Sequence, residues 1–369
     1  MKSILFLAGL MTVFVVACQS AAPVQPAAVA PTRAPTSVPV AATPTSGQPT
    51  QQPSKPTAAK PTPKPLPALE LKNYAVSCNK DCTWKIEGVP DVFLGPGDVA
   101  VDRQGNIIVA DRGRNAVLKF DQEGKLLAKW GSYGSGDSQF ASYMILAVDK
   151  DNNIYVSDTG NNRVQKFDAN GKLLMKFATT GMTGDKSLGP LGIAVDEQGN
   201  IYVGGMADIG VTAVKEALKK FDRTGKFLGM WGNVSELFQG VWDITIDKQG
   251  NVYVADFLNN RVVKLDQQGK QIATMNSCAP IGQAKENMGP TSMEVDEQGN
   301  VHVLDFESHR LCVFGPDGRF LSTWTKREPG AVDFVNLWGM AMDQQGNMVF
   351  VDGTGDLNSP GHIWKISKQ

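Results

Sequence analysis

Short apolar runs separated by polar turns recur along most of this chain, and the whole pattern repeats. The phrase running from Val101 and Asp102 to Asp111 returns in altered form at Val148-Asp149, Val195-Asp196, Ile246-Asp247, Val295-Asp296 and Met342-Asp343. Those six Asp residues stand 47, 47, 51, 49 and 47 positions apart. A period in the forties with strand-like content is the mark of a propeller, each repeat forming one blade. The second unit shows the plan: apolar runs at 145–149, 154–157, 163–167 and 172–177, with turns or polar loops at 149–153, 158–162 and 168–171. Turn residues punctuate each run, as an antiparallel meander requires.

Turn chemistry supports this reading. The first turn of each unit carries Gly105, Asn152, Gly199, Gly250, Gly299 or Gly346, and Gly and Asn are the residues that tolerate positive φ. The last run of five units closes on a large side chain, Trp130, Phe177, Trp231, Met275 or Trp324, expected to pack between blades. The sixth unit stops after its third run, at 363–366, while a stray strand-like segment at 83–88 precedes the first. The expected fold is therefore all-β: a six-bladed β-propeller of four-stranded antiparallel blades, closed by an N-terminal strand that completes the last blade and protects its edge.

Composition divides the chain into three zones. Residues 1–18 carry Lys2 and then an uncharged apolar run too short to span a bilayer comfortably, which reads as an export signal. It ends in Val15-Val16-Ala17-Cys18, which resembles the lipobox of bacterial lipoproteins and implies lipidation of Cys18 and anchoring to the cell envelope or surface. Residues 19–67 are rich in Pro, Ala, Thr, Ser and Gln and cannot bury enough apolar surface to fold, so they are expected to form an extended stalk. Residues 68–369 are the folded unit. The net charge of −1 supplies no electrostatic attraction for nucleic acid.

Leu188-Gly-Pro-Leu-Gly-Ile-Ala-Val-Asp196-Glu-Gln-Gly-Asn-Ile-Tyr-Val203 and Asp158-Thr-Gly-Asn-Asn-Arg-Val-Gln-Lys-Phe-Asp168 resemble the two halves of the NHL-repeat consensus. The resemblance extends over about residues 84–369. It implies the same propeller, with tight turns on one face and longer loops around the mouth of a central channel on the other. It implies no particular activity, although many NHL domains serve as binding platforms.

Candidate chemistry lies where units depart from the repeat. Asp98 and Asp243 stand four places before the repeated Asp, and Glu294 two places before, where most units have small or apolar residues. Three acids on a channel wall could hold Ca²⁺ through oxygen ligands, and lactonase propellers use such a cluster. Trp242, Trp338 and Tyr143 are read as lying just before first strands, so they could offer aromatic faces at the mouth to a protein, peptide or glycan, or simply pack as a lid. The acids Asp111, Asp158, Asp256, Asp305 and Asp352 are expected to cap their own loops and pair with arginines such as Arg163, Arg261 and Arg310. His309 and His362 fall in neighbouring loops, and His302 takes a slot held by Tyr in three other units. The amidating lyases of the NHL type hold zinc with three His, but these positions do not match theirs.

Export makes disulfides plausible. Cys78 with Cys82 and Cys278 with Cys312 are the favoured pairs; the second would close a loop of about 35 residues and add roughly 3–4 kcal/mol in the chain-entropy view. Two functions follow as expectations. One is a membrane-tethered scaffold that recognises a protein, peptide or glycan through its loop face. The alternative is a metal-dependent lyase or lactone hydrolase acting at the channel.

Overall fold

The computed structural model of the chain describes residues 82–87, 93–179, 189–205, 218–231, 238–279, 287–324, 337–353 and 361–366. All of them lie within one compact unit, Leu66–Gln369. The apolar N-terminal run with Cys18, the 19–67 stretch, Cys78 and the enlarged loop of the third repeat at 206–217 fall outside the described residues.

The chain forms β1 (Cys82–Glu87), then a first blade of β2 (Pro96–Val101), β3 (Ile107–Asp111), β4 (Ala116–Phe120) and β5 (Leu126–Trp130). The second blade is β6 (Met144–Val148), β7 (Ile154–Asp158), β8 (Arg163–Phe167) and β9 (Leu173–Ala178). The third is β10 (Pro190–Val195), β11 (Ile201–Gly205), β12 (Leu218–Phe221) and β13 (Phe227–Trp231), and the fourth is β14 (Val241–Ile246), β15 (Val252–Asp256), β16 (Arg261–Leu265) and β17 (Gln271–Met275). The fifth is β18 (Pro290–Val295), β19 (Val301–Asp305), β20 (Arg310–Phe314) and β21 (Phe320–Trp324). The sixth has β22 (Leu337–Met342), β23 (Met348–Asp352) and β24 (His362–Ile366), with β1 hydrogen-bonded antiparallel to β24. Every blade is a four-stranded antiparallel sheet, the first five of them meanders of consecutive strands, and the first strands β2, β6, β10, β14, β18 and β22 neighbour one another in a closed ring.

The core lies between blades. Ile108, Ala110 and Val117 of the first blade pack on Phe140, Met144, Ile154 and Phe167 of the second. Ala341, Val349, Val351 and Ile363 of the sixth pack on Val99, Ile107, Val109 and Phe120 of the first, so apolar burial also holds the two ends of the repeat array together. The second strands, covered on both sides by their neighbours, are buried along their length in the first five blades, as in β3, β7 and β15, and in the sixth up to half-buried Asp352.

Local turns explain the repeated polar residues. Asp102 Oδ1 accepts the backbone N–H groups of Gln104 and Asn106, each at 2.9 Å, while Asn106 Nδ2 donates to Oδ2. The same arrangement recurs at Asp149, Asp196, Asp247, Asp296 and Asp343. The position that is Gly in five repeats has φ +78° at Gly105 and φ +61° at Asn152, which accounts for the single Asn.

A second glycine serves packing as well. Gly171 has φ +82°, and a Cβ there would come within 2.6 Å of the Trp130 indole of the preceding blade. Phe177 lies on Gly225 in the same way. Trp324 departs from this plan and is 43% exposed. Its neighbour is the sixth blade, whose outer strand β1 comes from earlier in the chain, so no turn of that kind joins β24 to it.

Candidate functional site

The first strands are the inner edges of their sheets, and an edge strand leaves backbone N–H groups without ladder partners. Side chains from the preceding blade meet several of these groups. Asp98 Oδ2 accepts the N–H of Leu146 at 2.7 Å. Asp243 Oδ2 accepts that of Met293 at 2.7 Å, while its Oδ1 accepts the N–H of Ile244 at 2.8 Å. Ser292 Oγ accepts that of Met340 at 3.0 Å. These three residues hold the same repeat position, so a polar side chain there ties one blade to the next. Gly339 and Gly192 occupy that position in the blades just before Asp98 and Asp243. A Cβ on Gly339 would come within 2.8 Å of Asp98 Oδ1, and one on Gly192 within 3.0 Å of the Asp243 backbone. Glu294 accepts backbone N–H groups from Met342 and Val295.

Asp98, Asp243 and Glu294 line one cavity of about 240 Å³, walled by the first strands of all six blades. No Lys, Arg or His is among its lining residues. Burial without a cation disfavours the charged form of each acid. Burial, and then the Asp243 charge, hold the Asp98 carboxyl well above the usual range. Burial pushes Asp243 up to about 7. Burial and the Asp243 charge push Glu294 up to about 8.

Sharing a cavity is not the same as converging on one point. Ca²⁺ takes 6–8 oxygens at about 2.3–2.6 Å, and these acids already spend oxygens on backbone N–H groups. Among the described residues, only Cys278, Asp305 and Cys312 bring three potential ligand atoms within 4.8 Å of one another. As arranged, the three acids do not fit a single ion held by all of them. Two members of the Cys278 group, moreover, are joined as a disulfide with Cα atoms 5.8 Å apart. The third, Asp305, accepts hydrogen bonds from Gly289 N–H and Arg310 Nε, both at 2.8 Å.

At the loop end of the channel the three predicted aromatics come together. Tyr143 meets Trp242 edge-on with centroids 5.8 Å apart. Trp242 and Trp338, from the fourth and sixth blades, are near-parallel at 6.5 Å. Phe257 lies 5.2 Å from Trp242, and Phe306 lies 4.8 Å from Trp338. Trp242 is buried, whereas Tyr143 and Trp338 are half-buried. The rings therefore pack first on each other and form a lid whose rim stays accessible.

One member of this cluster was not foreseen. Arg112 places its guanidinium carbon 3.9 Å from the Tyr143 ring centroid and 5.6 Å from that of Trp338. A Cβ on Gly97, in β2, would collide with the Arg112 side chain, so glycine leaves it a path across the mouth. Arg112 follows the strand-two Asp, the position held by Thr159, Phe257, Phe306 and Gly353 in other repeats. Comparing that single position across the repeats would have exposed it as a cation among uncharged residues. Burial pulls the guanidinium below its ordinary value, opposed by its hydrogen bond to Tyr143.

The remaining polar residues are tied into the fold. Asp158, Asp256 and Asp305 each accept an Arg Nε, from Arg163, Arg261 and Arg310, at 2.7–2.8 Å, and cap nearby loop N–H groups. Asp111 lacks so close an arginine, with Arg114 at 3.5 Å, and burial pushes it up to about 6. His302 Nε2 lies 3.2 Å from Asp296 Oδ2, repeating the bonds of Tyr155 to Asp149 and Tyr253 to Asp247. His362 Nδ1 lies 2.8 Å from Asp352, and exposed His309 meets the edge of Phe306. No contact among the described residues joins these two histidines.

A model of the NHL repeat matches residues 93–120, 146–167 and 238–265. No curated protein sequence matches the chain. Among solved structures, a streptogramin B lyase is 13% identical with TM-score 0.55, over 77% of this chain and 98% of that one. A gluconolactonase from Xanthomonas campestris is 15% identical with TM-score 0.55, over 82% and 99%. A luciferin-regenerating enzyme is 12% identical with TM-score 0.54, over 76% and 94%. At these identities the likeness is one of fold alone.

Proposed function

Taking as its premise that this chain carries NHL repeats folded into a six-bladed propeller, we propose that it is a binding platform whose ligand docks on the loop face at the channel mouth. The observation that carries this reading is the rim of the lid: Tyr143 and Trp338 are half-buried and fixed on rigid first-strand ends. Aromatic anchors in such settings supply most of the energy in many binding sites. The ligand class on this reading is a protein, peptide or glycan outside the cytoplasm. The lipobox-like end at Cys18 and the Pro-rich stretch to residue 67 support a lipid-anchored, exported platform held away from a membrane. Titrating peptide and glycan panels into the full chain, and into Trp338→Ala, tests it. Binding weakened tenfold or more by Trp338→Ala supports the reading. Ligands that bind this variant as well as the parent chain sink it.

A second reading is a metal-dependent lyase or lactone hydrolase at the channel, favoured by three acids around one cation-free cavity. Ca²⁺ is the ion such oxygen donors would suit, although the present arrangement gathers no more than part of its shell. Metal analysis of the purified chain decides this. About one ion per chain, lost in Asp243→Ala, would move the function into the channel. No ion, and no change in melting on chelation, would leave the platform.

A further inference from the structure

Among the described residues, the lid holds a cation with no carboxylate paired to it. Arg112 lies across the channel mouth against Tyr143 and Trp338. Its neighbour Arg114 takes Asp111 instead, and its own Nε is buried without a hydrogen-bond acceptor. The fold satisfies its other arginines of this region closely: Arg163, Arg261 and Arg310 each have a carboxylate oxygen on Nε at 2.7–2.8 Å. Two aromatic rings and the Tyr143 hydrogen bond leave this largely desolvated guanidinium without an anion among the described residues, and a buried charge is costly until one completes it. Arg presents a planar fork that matches a carboxylate at two points. The side chain is half-buried, so that fork can still be reached from the loop face.

The surroundings set the rest of the ligand. Half-buried Tyr143, Trp338 and Phe306 present ring surface backed by buried Trp242 and Phe257. Trp338 Nε1 already donates to Gly353 O at 3.3 Å. An apolar group carrying one carboxylate would match both of these features, the ring surface and the cation. Resting on the loop-face reading above, we infer that Arg112 makes the channel mouth a receptor for a single carboxylate on an apolar or aromatic body. Two sources share that chemistry: the free C-terminus of a peptide ending in an apolar residue, and a small aryl-alkanoic acid.

The test is titration of the full chain, followed by tryptophan fluorescence and calorimetry. Four probes serve: 3-phenylpropionate, its primary amide, the peptide Gly-Gly-Phe with a free C-terminus, and the same peptide amidated. The expected result is that at least one acid binds tenfold or more tighter than its amide. Arg112→Gln abolishes that preference, and Trp338→Ala weakens acid and amide together. Tight binding of the peptide acid alone names a chain terminus as the source; binding of both acids names the small acid as sufficient. Arg112→Lys serves as the second variant if Arg112→Gln does not fold, and is expected to weaken the acid by loss of the fork. The inference is overturned if acids and amides bind alike, if neither binds, or if the Arg112 variants keep the preference. If amides or glycans bind in a Trp338-dependent way with no preference for acids, the platform survives and only the carboxylate assignment falls. Acid binding that depends on Arg112 but on neither Trp338 nor Trp242 would instead remove the aromatic platform.

Discussion

Asp98 of the first blade accepts the backbone N–H of Leu146 in the second through its Oδ2 at 2.7 Å, and by this bond a channel acid becomes a joint between blades. Asp98→Ala would strip the acceptor and leave a buried amide unpaired, at a cost of about 1–3 kcal/mol. Asp98→Asn keeps an oxygen at that place and should cost less, because it also removes a carboxylate that burial already disfavours. Chemical denaturation of the two variants should therefore rank Asn above Ala.

The channel acids predict a pH dependence of definite sign. In the unfolded chain Asp and Glu ionise near 3.8 and 4.5, whereas in the fold Asp243 and Glu294 hold their protons to about 7 and about 8. The folded state binds more protons between those limits, so their contribution to stability is full below the unfolded values and is lost as pH rises through about 7 and 8. Melting temperature should fall between pH 5 and pH 9. Glu294→Gln combined with Asp243→Asn should flatten that fall, and an unchanged slope in the double variant would show that other groups set it.

The disulfide between Cys278 and Cys312 spans a sequence separation of 34. Replacing both residues by Ser should lower stability by about 3–4 kcal/mol through the entropy returned to the unfolded chain. Both residues are buried, so Cys278 and Cys312 should resist alkylation without reductant when the folded protein is labelled and mapped by peptide, and should also resist it in denaturant until reductant is added. Label mapped to Cys278 and Cys312 in protein denatured without reductant would contradict the bond.

Gly171 answers two demands at once, a φ of +82° and contact with Trp130. Gly171→Ala should cost about 1–3 kcal/mol from backbone strain alone, with more from displacing the indole. At Gly229, φ is also positive but nothing lies within 4 Å of a Cβ. Gly229→Ala should therefore cost less than Gly171→Ala when the two are compared by thermal unfolding.

Much of this protein is decided within single repeats. The turn at Asp102 needs only Asp, Gly and Asn at fixed offsets, so six copies of that local chemistry announce six blades. The loop caps at Asp158 and Asp256 with Arg163 and Arg261 five residues on are local too, and a structural role for them was legible in the chain. Even His302 is explained by its slot, since it makes the bond that Tyr155 makes in another repeat. Tertiary structure decides whatever passes from one blade to the next. Asp98 reaches Leu146 and Asp243 reaches Met293 only because the ring brings adjacent inner edges together, and about 48 residues of sequence hide that proximity. The spacing of Asp98, Asp243 and Glu294 suggests a common wall; only the closed ring of first strands places all three on one cavity, where they do not gather as a three-ligand group. Arg112 is the extreme case. Its sequence neighbours make it an ordinary loop residue beside Arg114, and its standing as a cation over the channel comes from Tyr143 in the second blade and Trp338 in the sixth, which no local pattern could have placed beside it.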